Sequence, residues 1–255
     1  MKNASTIGLN KVPEVTLVFW IIKICATTLG ETAGDAVSMT MHLGYAIGSG
    51  IFLSVFIVIA AFQITAKSFH PFLYWAVIVA TTTAGTTMAD YADRSLGVGY
   101  VGGSLILFIL LMLILGLWRL AIGSVSVNNI ISPKAEMFYW TAILFSNTLG
   151  TALGDFLSDD SGLGYAGGAL FFAGALAMIA AAYFFTKVSH TLLFWIAFIV
   201  TRPLGATLGD LLTKPYADGG FNQSRISSSA IIAIFIIASI WLAPQRAGSH
   251  GSSRF

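Results

Sequence analysis

Eight apolar stretches, near 15–35, 44–66, 72–91, 100–120, 136–157, 165–186, 191–213 and 227–243, occupy almost the whole chain. Each is close to the roughly 20 residues that a helix needs to cross a hydrocarbon core about 30 Å thick. Charged residues are 9% of the 255 and apolar types 56%, with a mean hydropathy of +0.84; soluble domains carry roughly a quarter charged residues. Backbone polar groups in lipid find no water, so each run must close its own hydrogen bonds as a helix. The expected fold is all-α: a polytopic membrane protein of eight transmembrane helices. The first run, flanked by Lys2 and Lys11, could pass for a signal peptide, but it lacks a small-residue cleavage site and shares its pattern with three later runs, so a retained helix is expected.

Charge placement predicts the orientation. With eight spans, both termini and the loops after spans 2, 4 and 6 share a side holding Lys2, Lys11, Lys67, Arg119, Lys134, Lys187, Arg246 and Arg254. The opposite loops hold Arg94, Lys214 and Arg225, offset by Asp93, Asp159, Asp160 and Asp218. The positive-inside rule puts both termini in the cytoplasm. All six Trp then fall at the cytoplasmic interface, and Tyr45, Tyr100 and Tyr165 at the opposite one, as aromatic belts. Cys25 is the single cysteine, which excludes an intrachain disulfide.

The apolar runs are not eight unrelated segments. Trp20, Trp75, Trp140 and Trp195 are each followed ten residues later by Gly30, Gly85, Gly150 or Gly205, and fifteen residues later by Asp35, Asp90, Asp155 or Asp210. Gly-Tyr follows the first three Asp, at 44–45, 99–100 and 164–165, whereas the fourth unit reads DGGF at 218–221. A two-span unit thus recurs four times. The first pair of units maps onto the second at a spacing of 120, which also matches Lys67 with Lys187 and His70 with His190. The expected organisation is one membrane domain of two halves, 1–120 and 135–243, joined by a linker at 121–134 and followed by a cytoplasmic tail at 244–255. Units of two spans all enter the membrane in one sense, so the repeats should be parallel.

The segments TTLGETAGD, TTTAGTTMAD, SNTLGTALGD and TRPLGATLGD, with the turns LGYAIG, VGYVGG and LGYAGG, resemble a bacterial inner-membrane family built from a short repeat of unknown function, usually described as uncharacterised membrane-anchored proteins. The resemblance covers about 15–243 and implies architecture and an inner-membrane location; it supplies no activity.

Even runs such as GSLILFILLMLILGLW are apolar all round and suit lipid, whereas odd runs carry Thr, Asn, Gly and acids and should form the inside. A carboxylate at mid-bilayer costs about 2.5 kcal/mol or more. The pairs Gly30/Gly34, Gly85/Ala89, Gly150/Gly154 and Gly205/Gly209 form small-xxx-small seams that allow close backbone approach. Stepping back by four from each Asp gives four helical stripes: Lys23, Thr27, Glu31, Asp35; Thr82, Thr86, Asp90; Asn147, Thr151, Asp155; and Arg202, Ala206, Asp210. Pro203 removes a backbone donor, so a kink or broken helix is expected there.

Five acids and two bases on these stripes favour a cationic guest. The expected activity is transport of a small cation, a divalent metal such as manganese first, coupled to protons. Glu31, Asp35, Asp90, Asp155 and Asp210 would be metal ligands or proton carriers, Thr27, Thr82, Asn147 and Thr151 auxiliary polar ligands, and Lys23 and Arg202 tethered countercharges. This oxygen set suits Mn²⁺, Mg²⁺ or Ca²⁺ more than Cu or Zn. The alternative is a non-transporting membrane scaffold or sensor whose buried acids are structural. GVGYVG at 97–102 and GLGYAG at 162–167 open membrane helices without a preceding strand, which argues against a dinucleotide site. MTMHL at 39–43 is an incomplete soft-metal site. With no P-loop, HExxH or nucleophile elbow and no large soluble loop, no enzyme activity, cofactor or nucleic-acid partner is expected; the expected partners are the lipid bilayer and the cation.

Overall fold

A computed structural model describes residues 11–127, 130, 132–243 and 245–248. Lys2 and Arg254, counted above on the basic side, lie outside the described residues, as do 128, 129 and 131 of the linker and most of the tail. Among the described residues the architecture is all-α, with eight helices: α1 (Leu17–Asp35), α2 (Gly44–Thr65), α3 (Pro71–Asp90), α4 (Tyr100–Ile122), α5 (Pro133–Asp155), α6 (Gly164–Phe185), α7 (His190–Thr213) and α8 (Arg225–Leu242). Seven are long and apolar enough to cross a membrane. The eighth, α5, has the length at 23 residues but carries Ser146, Asn147, Thr148 and Thr151, which lower its hydropathy.

Local chemistry sets the helix starts. Thr16 and Ser132 accept from the backbone N–H of Phe19 and Ala135, and Pro71 and Pro133 stand in the first turn, where a missing N–H costs nothing. The Thr-rich α3 is a poor helix by propensity in water. Here Thr81, Thr83 and Thr87 return their hydroxyls to the carbonyls of Ile78, Val79 and Ala84 and leave no buried donor unmet.

The odd helices form a closed ring in the order α1, α3, α5, α7 and back to α1. The even helices lie outside it: 72% of the core window of α3 and of α7 is buried, against 11% of α4 and of α8. Each even helix packs along the odd helix of the next unit, α2 on α3, α4 on α5 and α6 on α7, and α8 closes the circle on α1. Ser229 of α8 donates to the Thr32 hydroxyl at 2.8 Å. The sequence unit of two spans is therefore not a packing unit, because its second helix belongs spatially to its successor.

One contact, repeated at all four corners, fixes the ring. A side chain at Gly30 would overlap Thr82, one at Gly85 would meet Asn147, one at Gly150 would overlap Arg202, and one at Gly205 would overlap Thr27. A turn later, Gly34 meets Thr86, Gly154 meets Ala206 and Gly209 meets Glu31. Both rows advance together, so neighbouring odd helices run in the same direction, as the even-span unit requires. The small-xxx-small seams thus face the next odd helix.

The Trp residues gather at the end of the bundle remote from the Asp residues, most of them inside it. Trp75, Trp118, Trp140 and Trp195 are buried, and Trp241 is the exposed one. With Phe19, Tyr74, Tyr139, Phe194 and Phe198 they pack as a cluster of edge-on and tilted rings that fills the end of the bundle remote from the Asp residues. Tyr74 and Tyr139 share a hydrogen bond of 2.7 Å between their hydroxyls. Trp195 donates to Val125 O at 3.0 Å, whereas the indole N–H groups of Trp118 and Trp140 are buried without a partner. At the same end the N-terminal segment is tied down. Lys11 donates to the final carbonyls of α2 at Gln63, Ile64 and Ala66 and pairs with Glu136 of α5, while residues 12–14 pair with 246–248.

Candidate functional site

The four stripes read from the sequence line the middle of the ring in layers. Phe19, Tyr74, Tyr139 and Phe194 form the deepest layer, followed by Lys23, Ile78, Ile143 and Phe198. Above these lie Thr27, Thr82, Asn147 and Arg202, then Glu31, Thr86, Thr151 and Ala206, and finally Asp35, Asp90, Asp155 and Asp210; every one of these residues is buried.

The layer of Thr27, Thr82, Asn147 and Arg202 stitches the helices together. Thr27 donates to Thr201 O at 3.1 Å, Thr82 to Ala26 O at 3.1 Å, and Asn147 to the Thr81 hydroxyl at 3.0 Å, each bond reaching the preceding helix of the ring. Thr27, Thr82 and Asn147, expected as auxiliary ligands, stand one layer from Glu31. Their polar atoms are committed to helix contacts one layer away. Thr151, by contrast, does stand beside an acid.

Arg202 breaks the pattern. Its guanidinium turns toward the next layer, where Nη2 pairs with Glu31 Oε2 at 3.0 Å and donates to Thr151 at 2.6 Å and to Thr86. Ala206, the smallest member of that layer, belongs to the same helix. The Thr86 hydroxyl also reaches Glu31 at 3.3 Å. The helix α7 that carries Arg202 runs unbroken through Pro203, contrary to the expected break. Gly150 and Gly154 of α5 give room for Arg202 and Pro203 to lie against it. Lys23 does not pair with Glu31; its Nζ lies 3.5 Å from Asn147 Oδ1 and 4.1 Å from the centre of the Phe198 ring.

The Asp layer is held by cations that sequence reading had left in loops. Arg94 pairs with Asp90 at 2.9 Å, with Asp155 at 3.2 Å and with Asp159 at 3.5 Å. Lys214 pairs with Asp210 at 3.2 Å and Asp35 at 3.7 Å, and Arg225 reaches Asp35 at 3.3 Å. Burial works against the Lys214 charge, but Asp210 and then Asp35 outweigh it and hold the ammonium above its ordinary value. The ion-pair partners of the four Asp are thus Arg94, Lys214 and Arg225. Arg94 and Lys214 are 120 residues apart and each stands four after its own Asp. The half-to-half spacing was therefore the signal that could have found them.

After the Asp in the first three units the helix widens instead of ending. Residues 36–40, 91–95 and 156–160 form single π turns, closed by bonds from Met41 N to Ala36 O, Leu96 N to Tyr91 O and Ser161 N to Phe156 O at 2.9, 3.0 and 3.1 Å. Such turns re-aim side chains and recur at functional sites. In the second unit the turn carries Arg94 over the ring. The fourth unit lacks it, in keeping with its divergent DGGF segment, and Lys214 follows α7 directly.

The Asp layer is not one site of equal members. Ligand atoms of Glu31, Asp35 and Asp210 come within 4.8 Å of one another, across α1 and α7, and all three residues are buried. Asp90 and Asp155 stand apart from this group and share Arg94. A divalent cation or a tethered ammonium could satisfy the three-carboxylate group.

Four segments of the chain, 18–69, 73–123, 138–189 and 193–247, match a repeat of unknown function, DUF347. The chain belongs to the DUF347 family. Each DUF347 segment begins close to the Trp of a unit and ends after its even helix, so the family repeat and the two-span unit coincide. No curated protein and no solved structure matches the chain. With its apolar helices, this DUF347 protein is a multi-pass membrane protein with a buried acidic cluster.

Proposed function

We propose that this DUF347 protein transports a small cation, a divalent metal such as manganese, through the ring of odd helices, with Glu31, Asp35 and Asp210 as its ligands. The observation that carries this reading is the convergence of three buried carboxylates from two neighbouring helices within 4.8 Å. Acids inside a membrane domain are expensive and mark ion paths by default. All-oxygen ligation favours a hard cation. The countercharge while cargo is absent comes from Lys214 and Arg225, which swing onto Asp35 and Asp210; Arg202 plays that role for Glu31. The basic loops at the Trp end support a reading in which that end and both termini face the cytoplasm of a bacterial cell and the Asp end faces outward.

A scaffold role is the second reading, favoured by one observation: each ring Asp already has a basic partner. Manganese flux into proteoliposomes separates the two. Under the transport reading, Asp210→Asn and Asp35→Asn abolish flux while Gly116→Ala, on the outer face of α4, leaves it at the wild-type level. Flux unchanged by both Asn substitutions, or absent from the wild type, would contradict transport.

A further inference from the structure

Two fully buried cations, Lys23 and Arg202, have far fewer acceptors than donors. Both are 0% exposed. The hydrogen bonds of the guanidinium are made by Nη2, to Glu31, Thr86 and Thr151; Nε and Nη1 have no hydrogen-bond partner. The ammonium of Lys23 has one long hydrogen bond, 3.5 Å to Asn147 Oδ1, and the face of Phe198. Glu31 is the single carboxylate paired with either among the described residues.

The fold brings the two cations to one place. Lys23 stands one turn below Thr27, whose hydroxyl touches α7 at Thr201. Phe198, under the Lys23 ammonium, stands one turn below Arg202 on α7. Lys23 and Arg202 therefore flank the same stretch of the α1–α7 contact, from adjacent layers. One carboxylate faces two basic side chains in a dry interior, and Nε and Nη1 of Arg202 and most of the Lys23 Nζ donors are buried without an acceptor. Leaving such a donor buried and unmet is costly, and more so when it is charged. The chemistry missing here is an acceptor that is small, anionic and content with N–H donors alone.

We propose that a small monovalent anion, of the size of chloride, binds between Lys23 and Arg202 in the ring. The anion accepts from Nε and Nη1 of Arg202 and from Nζ of Lys23, and it neutralises the centre without disturbing the Glu31–Arg202 pair. The site lies one to two layers below the carboxylate group and does not rest on the cation reading: an anion can lock the bundle whether or not a metal crosses it.

The test uses the full chain purified in detergent, with sodium chloride or bromide compared with sodium gluconate at equal ionic strength, so that general screening cancels. Unfolding followed by Trp fluorescence should shift upward in halide by about 3 °C at ten times the dissociation constant. Lys23→Gln should remove the halide dependence. Bromide in crystals of the wild type should give an anomalous peak between Lys23 and Arg202, which reads the site even if the variant does not fold. Equal stability in halide and gluconate would overturn the proposal, since water or an uncharged Lys23 would then supply the balance. So would a halide effect that survives Lys23→Gln, or bromide bound only elsewhere.

Discussion

Replacing Glu31 with Gln strips the Arg202 guanidinium of its carboxylate while leaving it 0% exposed between Thr86 and Thr151. Removing one partner of a buried pair costs about 3–5 kcal/mol, because the survivor stays buried and uncompensated. For a chain of this size roughly 2–4 °C of melting temperature accompanies each kcal/mol, so a drop on the order of 10 °C is expected in detergent. The reverse single change, Arg202→Thr, strands Glu31 and should cost a comparable amount. The double variant Glu31→Thr with Arg202→Thr should recover most of the loss. Thr86 and Thr151 already occupy the Glu31 layer in other units, and Thr27 and Thr82 the Arg202 layer. Melting of the four proteins, followed by intrinsic Trp fluorescence, closes a double-mutant cycle. Single variants that melt within about 2 °C of the wild type, or a double variant whose loss is the sum of the singles, would refute the view that this pair is mutually compensating.

Other consequences follow from the same geometry. Gly85→Ala puts a Cβ 2.9 Å from the backbone nitrogen of Thr148, so about 1–3 kcal/mol of overpacking is expected, whereas Gly116→Ala meets nothing within 4 Å and should be neutral or slightly stabilising; parallel melting curves check both. Lys214→Met removes the tethered competitor from Asp35 and Asp210 and should tighten manganese binding in equilibrium titrations even as it lowers the melting temperature. Lys11→Met frees the last carbonyls of α2 and strands Glu136, and hydrogen exchange at residues 64–66 should quicken while the ring stays protected.

The fold was largely legible because the repeat over-determines it. Four Trp, four Gly and four Asp at fixed offsets gave the unit, the parallel sense and the inner set of helices, and the Gly-on-Thr corners follow the seam read from Gly30 and Gly34. The packing of α2 on α3 and of α8 on α1 was not legible, because an outer helix that is apolar all round carries no directional signal. The site was half legible. Of the five acids, Glu31, Asp35 and Asp210 come together while Asp90 and Asp155 share Arg94, and Arg94, Lys214 and Arg225 looked like loop charges. Sequence position does not reveal that a π turn in one unit and a direct helix exit in another bring a basic side chain back over the axis. The donors of Thr27, Thr82 and Asn147 bond to the neighbouring helix, which helical spacing alone does not reveal, because it gives the face of a side chain but not which acceptor on the next helix captures its hydroxyl or amide. The burial of Trp75, Trp118, Trp140 and Trp195 was not legible, because helix ends that meet one another can bury rings that an isolated helix would leave exposed.

Manganese binding to the purified chain, read from loss of the free-ion signal in electron paramagnetic resonance, tests the three-carboxylate site most directly. Saturable binding by the wild type, weakened at least about tenfold by Asp35→Asn or Asp210→Asn, a loss of roughly 1.4 kcal/mol or more, and retained by Asp155→Asn, is the result expected from the grouping of Glu31, Asp35 and Asp210. No binding at millimolar manganese, or equal binding by the wild type and Asp210→Asn, would contradict it.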